Sequence, residues 1–231
     1  MVTTTVLFLA ASLSAAEMLE RSIAYHDSDG RFATSAIAIE LSESRPGGDI
    51  RKTSIVIDNG RGRFEMRRVV DDGREVYIRV DGDDVKVSLD GSTAFSEEEA
   101  EQYRLTPEQA KRTRNYYIYL CGLPMKLLDP GTRLDPKPRE NDYQGHAVYE
   151  LKVTYDEEVG QDSWYFYLDR KTYALVGYRF YHDESKNDGE YIVLEGEASG
   201  AGLKLPKTRK WYRHTDDGFL GTDTIESIRR P

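Results

Sequence analysis

The sequence predicts a mainly β fold with helices (α+β): a single curved antiparallel sheet, a half-barrel, covered by two or three helices. Three observations lead there. Short β-prone runs follow one another closely, punctuated by Asn59-Gly60, Asp72-Gly73, Asp81-Gly82 and Asp90-Gly91, pairs that supply the positive φ angles tight hairpins need. Strands this close must pair antiparallel, because a parallel crossover takes about a dozen residues or more. Residues 164–191 carry aromatic side chains on both faces of a hairpin, the pattern of a central strand pair covered on each side by protein, a lid or a ligand. Finally, the last turns of a helix over 107–122 and the segment after it, residues 115–128, are apolar nearly all round, so this end must be buried against the sheet or a ligand.

In chain order, residues 1–16 hold an apolar run over 6–13 followed by small residues. Ser14 and Ala16 take the −3 and −1 positions of a signal-peptidase site, which would release a mature chain beginning at Glu17. The first five residues depart from the pattern in having no Lys or Arg. The run is too short to span a bilayer, and no cysteine lies beside the cleavage point to be acylated, so no stable membrane anchor is expected. The expected organisation is a signal peptide over 1–16 and one curved-sheet domain over 17–231.

Residues 17–26 read as a short amphipathic helix, with Leu19 and Ile23 four apart, ended by Ser28, Asp29 and Gly30. Strands follow over 32–41, 50–58, 62–70, 75–80 and 85–89. Ser96 with Glu99 fits a capping box, and Thr106-Pro107-Glu108-Gln109 fits one better, with proline at the first helical position. After a proline-bearing link through Pro136 and Pro138, strands resume at 147–155, where Tyr149, Leu151, Val153 and Tyr155 alternate with polar residues. Further strands are expected over 191–197, 203–213 and 220–228. For the hairpin between them, a turn centred on Arg170 and Lys171 pairs Phe166 with Leu175, Tyr165 with Val176 and Trp164 with Gly177. One face then carries Trp164, Phe166, Leu168, Tyr173 and Leu175; the other carries Tyr165, Tyr167, Ala174, Val176, Tyr178 and Phe180.

A formal charge of −9 with Lys and Arg scattered among acids argues against nucleic acid, which needs a basic stripe. The single cysteine, Cys121, allows no internal disulfide. No cofactor is implied. The mature chain is expected to be free in the periplasm or secreted, and to act as a monomer.

The segments SIAYHDSDGRF, NYYIYLCGLPMKLLDPGT, LKVTYDEEVGQDSWYFYLDRKTYA and YRFYHDESKNDGEYI resemble an uncharacterised family of exported bacterial proteins with a domain of unknown function, DUF6503-like. The likeness spans nearly all of the mature chain. The family's architecture is similar to that of the LolA and LolB lipoprotein carriers, so the resemblance implies a bent antiparallel sheet that wraps helices and shelters acyl chains.

No catalytic motif stands out. His182, Asp183, Glu184 and Asp188 could form a metal or acid/base group, but adjacent strand residues point to opposite faces, and a polar hairpin loop is the default reading. Cys121 lies in an apolar helix end with no basic neighbour in sequence, which reads as packing rather than nucleophile. His26, near a helix C-terminus, reads as a cap favoured by the dipole. The Tyr-rich strands read as core or as the lining of an apolar cavity. The resulting expectation is a non-enzymatic binding protein with a lipid or lipoprotein acyl chain enclosed by Tyr119, Leu123, Met125, Trp164, Phe166 and Leu175. The alternatives are a secreted hydrolase using His182 or His26 with nearby carboxylates, and a protein-interaction module of the cell envelope.

Overall fold

The computed structural model describes residues 13–231, so residues 6–12 of the apolar run and most of the expected leader lie outside the described residues. The strands are β1 (Ala36–Ser44), β2 (Arg51–Asp58), β3 (Arg63–Val69), β4 (Glu75–Asp81), β5 (Asp84–Leu89), β6 (Thr132–Leu134), β7 (Arg139–Tyr143), β8 (His146–Tyr155), β9 (Ser163–Asp169), β10 (Leu175–Tyr181), β11 (Glu190–Gly200), β12 (Leu203–Arg213) and β13 (Phe219–Arg229). They form one open sheet in the order β5-β4-β3-β2-β1-β13-β12-β11-β10-β9-β8-β6, with β7 also paired to β8. Each neighbouring pair is antiparallel, as close-spaced hairpins require. β1 pairs with β13, so the last strand closes the sheet's two halves into one.

The helices are α1 (Ala15–His26), α2 (Arg31–Thr34), α3 (Glu97–Gln102) and α4 (Pro107–Gly122). Capping boxes start three of them, Ser14 with Glu17, Ser96 with Glu99 and Thr106 with Gln109. The first box places Ser14 and the buried Ala15 inside the folded unit, three and two residues before the expected mature start. Residues 31–34 turn helically instead of opening the first strand, because the Asp27 carboxylate accepts from the Arg31 and Phe32 amides, at 2.7 and 2.9 Å. The proline-bearing link forms the short strands β6 and β7 along β8. Its polar sequence hides them, since four of the five β7 residues are exposed.

Two clusters fill the inner face. In the first, strand residues form rungs: Ile37, Ile57, Phe64, Val80 and Val85, then Ile39, Ile55, Met66, Ile78 and Val87. Ala110, Tyr117, Leu120 and Cys121 of α4 pack on these rungs, so α4 lies across the sheet as its apolar end demands. The second cluster joins Met18 and Leu19 of α1 to Leu151, Phe166, Leu175, Tyr178 and Ile192. Where α4 ends, a Cβ on Gly122 would stand 2.6 Å from the Phe32 ring, so only glycine lets helix and ring meet.

The β9–β10 hairpin corrects the expected register. The turn is longer than two residues: Tyr173 has φ +62°, and the Asp169 amide donates to the Ala174 carbonyl at 2.9 Å. A bulge between Leu175 and Gly177 then places Tyr178 opposite Phe166 and Phe180 opposite Trp164. Trp164, Phe166, Leu168 and Leu175 share the inner face as expected, but Tyr178 and Phe180 join them there. Gly177 faces outward opposite Tyr167, not Trp164. The ring over the glycine belongs to Tyr143, which stacks on Tyr167 with centroids 4.0 Å apart and donates to the Ile192 carbonyl at 3.0 Å.

Candidate ligand cleft

The inner face of β1–β4 changes character along its length. After the two apolar rungs comes one of mixed type, Leu41, Thr53, Arg68 and Val76, and beyond it the charged pair Glu43 and Arg51. Tyr117 stacks on Phe64 and closes the apolar end. Toward the charged end, α3 and α4 stand away from the strands and leave a cleft of about 890 Å³. Met66, Val76 and Ile78 lie at its floor, while Arg51, Arg104, Arg112 and Tyr116 stand at its walls.

One buried acid organises the floor. Glu43 is 3% exposed and accepts from the Tyr117 hydroxyl at 2.8 Å and from Thr53 Oγ1. Arg68 closes the group, its guanidinium 3.1 Å from Glu43 and its Nε donating to Thr53 Oγ1 at 3.0 Å. Burial pushes the Glu43 carboxyl up. The Arg68 charge, the hydrogen bonds from Thr53 and Tyr117 and the charge of Arg51 outweigh that, so Glu43 titrates below the usual carboxylate range and stays ionised. A second buried acid, Asp223, pairs with Arg45 at 2.9 Å and accepts from the Trp211 indole at 2.8 Å. Arg45 and Arg68 are thereby neutralised. Arg51, Arg104 and Arg112 make no ion pair among the described residues. The remaining acids of the cleft sit in the β3–β4 turn, Asp71 and Asp72, and Asp72 is held by the Tyr103 hydroxyl and the Arg74 amide.

The six residues singled out from the sequence lie elsewhere. Phe166, Leu175 and Leu123 are buried, at 0, 4 and 2% exposure. Trp164 stacks between Phe166 and Phe180, and Tyr119 meets its edge at 5.6 Å while bonding the Tyr155 hydroxyl at 2.6 Å. Met125 packs against the first cluster. None of the six lines the 890 Å³ cleft.

The other sequence candidates have partners of their own. His26 is buried and bridges two strands, with Nδ1 2.5 Å from the Lys204 carbonyl and Nε2 accepting from the Leu175 amide at 2.9 Å. Burial pushes its pKa down, so it is a neutral bolt and not the charged helix cap that position alone suggests. His182 meets Asp162 at 2.8 Å on the surface, and Glu184 meets Lys152 at 2.7 Å. Burial raises the Cys121 thiol to about 11. Among the described residues no group of three or more His, Cys, Asp or Glu could hold a metal ion.

The parity of the strands was the available signal for the cleft. Continuing Ile37, Ile39, Leu41 by two reaches Glu43, and continuing Phe64, Met66 reaches Arg68, so β1 and β3, the two strands that flank β2, end their inward rows in opposite charges. Arg104 and Arg112 carry no such signal.

The sheet and its helices fix the relatives. The family of unknown function DUF6503 matches residues 1–227. The chain belongs to that family. No curated protein matches the sequence. Among solved structures, a LolA superfamily protein of Nitrosomonas europaea superposes with TM-score 0.56 at 12% identity, over 95% of this chain and 94% of that one. A DUF1329 family protein of Desulfovibrio piger gives 0.54 at 12%, over 94% and 92%. A domain described as an outer membrane lipoprotein-sorting protein, from Vibrio parahaemolyticus, gives 0.51 at 13%, over 93% and 89%. The DUF6503 chain therefore has a LolA-like fold. No described helix is long and apolar enough to cross a membrane.

Proposed function

We propose that this protein is an exported, non-enzymatic carrier that shelters the acyl chain of a lipid or lipoprotein between the concave sheet and the layer of α3 and α4. The cleft carries this reading: its floor of Met66, Val76 and Ile78 runs into the apolar rungs beneath α4. The LolA-like fold and the lipoprotein-sorting description of the Vibrio relative support it, and the signal-peptide pattern over 1–16 supports export. Each buried methylene contributes about 0.8 kcal/mol, so roughly eight of them supply about 6 kcal/mol, comparable to the cost of association.

Native mass spectrometry of the protein purified from its envelope is expected to show a lipid-sized adduct. The purified chain is also expected to take up a fluorescent fatty acid. Thr113 lines the cleft from α4, and Thr113→Trp should fill the space and abolish uptake while leaving the circular dichroism spectrum unchanged. Absence of both adduct and uptake in the parent, or undiminished uptake by the folded variant, overturns the reading.

A further inference from the structure

The acyl-chain reading says nothing of what the chain is attached to, but the inner face does. Along β1–β4 the rungs pass from wholly apolar, through the mixed rung of Thr53 and Arg68, to the charged pair of Glu43 and Arg51. A ligand lying along this gradient has one end in hydrocarbon surroundings and the other among guanidinium groups. Five arginines line the cleft, and no lysine does, in a chain whose net charge is −9. A random share of that composition would give an acidic cleft instead.

The arginines divide by their partners. Arg45 is matched by the buried Asp223 and Arg68 by the buried Glu43. Those two acids hold their arginines in place within the wall. Arg51, Arg104 and Arg112 come from three separate segments, β2, the α3–α4 link and α4, and none makes a direct ion pair among the described residues. Arg51 lies across the strands from Glu43 and feels its charge, but Glu43 is bonded to Arg68, Thr53 and Tyr117. Against them stand Asp71 and Asp72 in the β3–β4 turn, of which Asp72 is already occupied by Tyr103 and Arg74. Guanidinium is planar, permanently charged and forked to match carboxylate and phosphate oxygens, and it is weakly hydrated enough to work beside apolar surface.

We propose that the ligand is an anionic amphiphile, its phosphate or carboxylate head held by Arg51, Arg104 and Arg112 and its chain directed onto Met66, Val76 and Ile78. This rests on the acyl-chain reading and adds the head to it. The test compares lysophosphatidic acid with a monoacylglycerol of the same chain and with inorganic phosphate, by calorimetry on the full chain. Lysophosphatidic acid is expected to bind at least tenfold more tightly than the uncharged lipid, with a preference that shrinks as salt rises. In the Arg51→Gln/Arg104→Gln/Arg112→Gln variant the two lipids should bind alike, with monoacylglycerol affinity unchanged. Equal affinities in the parent, or a preference retained in the variant, overturn the headgroup assignment while leaving acyl binding in place. Binding of neither lipid overturns the acyl-chain reading itself. Inorganic phosphate binding as tightly as lysophosphatidic acid makes the ligand a free anion and overturns the amphiphile.

Discussion

The two halves of the sheet are built from different sequence and end in opposite states. The β8–β11 half is the richer in aromatic residues, and its inner face is filled: Trp164 stacks on Phe166 and Phe180, Tyr178 tilts against Phe166, Tyr119 of α4 meets the Trp164 edge, and Tyr143 and Tyr167 cover part of the outer face. The β1–β4 half draws its inner face mainly from aliphatic residues ending in charges, and it is the half that opens into a cleft. Aromatic density therefore marks where this protein is filled. Large flat rings gain most by stacking and excluding space, whereas a strand row that ends in an ion pair cannot be closed over by apolar residues without stranding the charges.

The contrast can be broken most sharply at Phe166. In a filled half, Phe166→Ala should cost about 3–5 kcal/mol of unfolding free energy in urea, while the folded fraction binds lipid as the parent does. A cost under about 1 kcal/mol would mean that the aromatic half has room after all. In the open half the buried acid is the sensitive point. Removing Glu43 leaves Arg68 without its carboxylate and the Tyr117 and Thr53 hydroxyls without their acceptor, so Glu43→Ala should cost about 3 kcal/mol. The Glu43→Leu/Arg68→Met double substitution should recover most of that in the same titration. If it does not, the pair shapes the half by more than charge balance.

The smallest effect is one of pH and belongs to the filled half. His26, bolting α1 to β10 and β12, has a folded-state pKa below its ordinary 6.5, lowered by burial and by the charges of Arg209 and Lys204 against the opposing Lys204 carbonyl and Glu197. As pH falls below about 6.5 the unfolded chain takes up a proton that the folded chain refuses, so stability is full above that range and declines beneath it. Thermal midpoints between pH 8 and 5.5 should fall, and His26→Gln should flatten the slope. An unchanged slope in the variant would place the pH dependence elsewhere.

Much of the fold was written locally. The Asp-Gly turns at Gly73, Gly82 and Gly91 and the capping boxes at Ser96 and Thr106 each act within a few residues, and each appears where its sequence puts it; in the β2–β3 turn the left-handed residue is Gly62 and not Gly60. The family blocks likewise pointed to the LolA-like architecture. The β9–β10 register was lost to a left-handed Tyr173 and a one-residue bulge, features that cost little locally and are chosen by what the strands must pack against. β6 and β7 went unread because their polar residues pair with β8 by backbone alone.

By itself the sequence determined which residues turn, which form helices and which alternate, because those choices depend on φ, caps and side-chain parity within one segment. Only the tertiary structure decided which face is filled and which is open. It brought Arg51, Arg104 and Arg112, far apart in the chain, to the walls of one cleft, and packed the inner-face rings of the aromatic hairpin against one another. Both outcomes depend on how thirteen strands stack in space around α1 and α4, and a charge or ring carries no mark in its own segment of the neighbour it will meet.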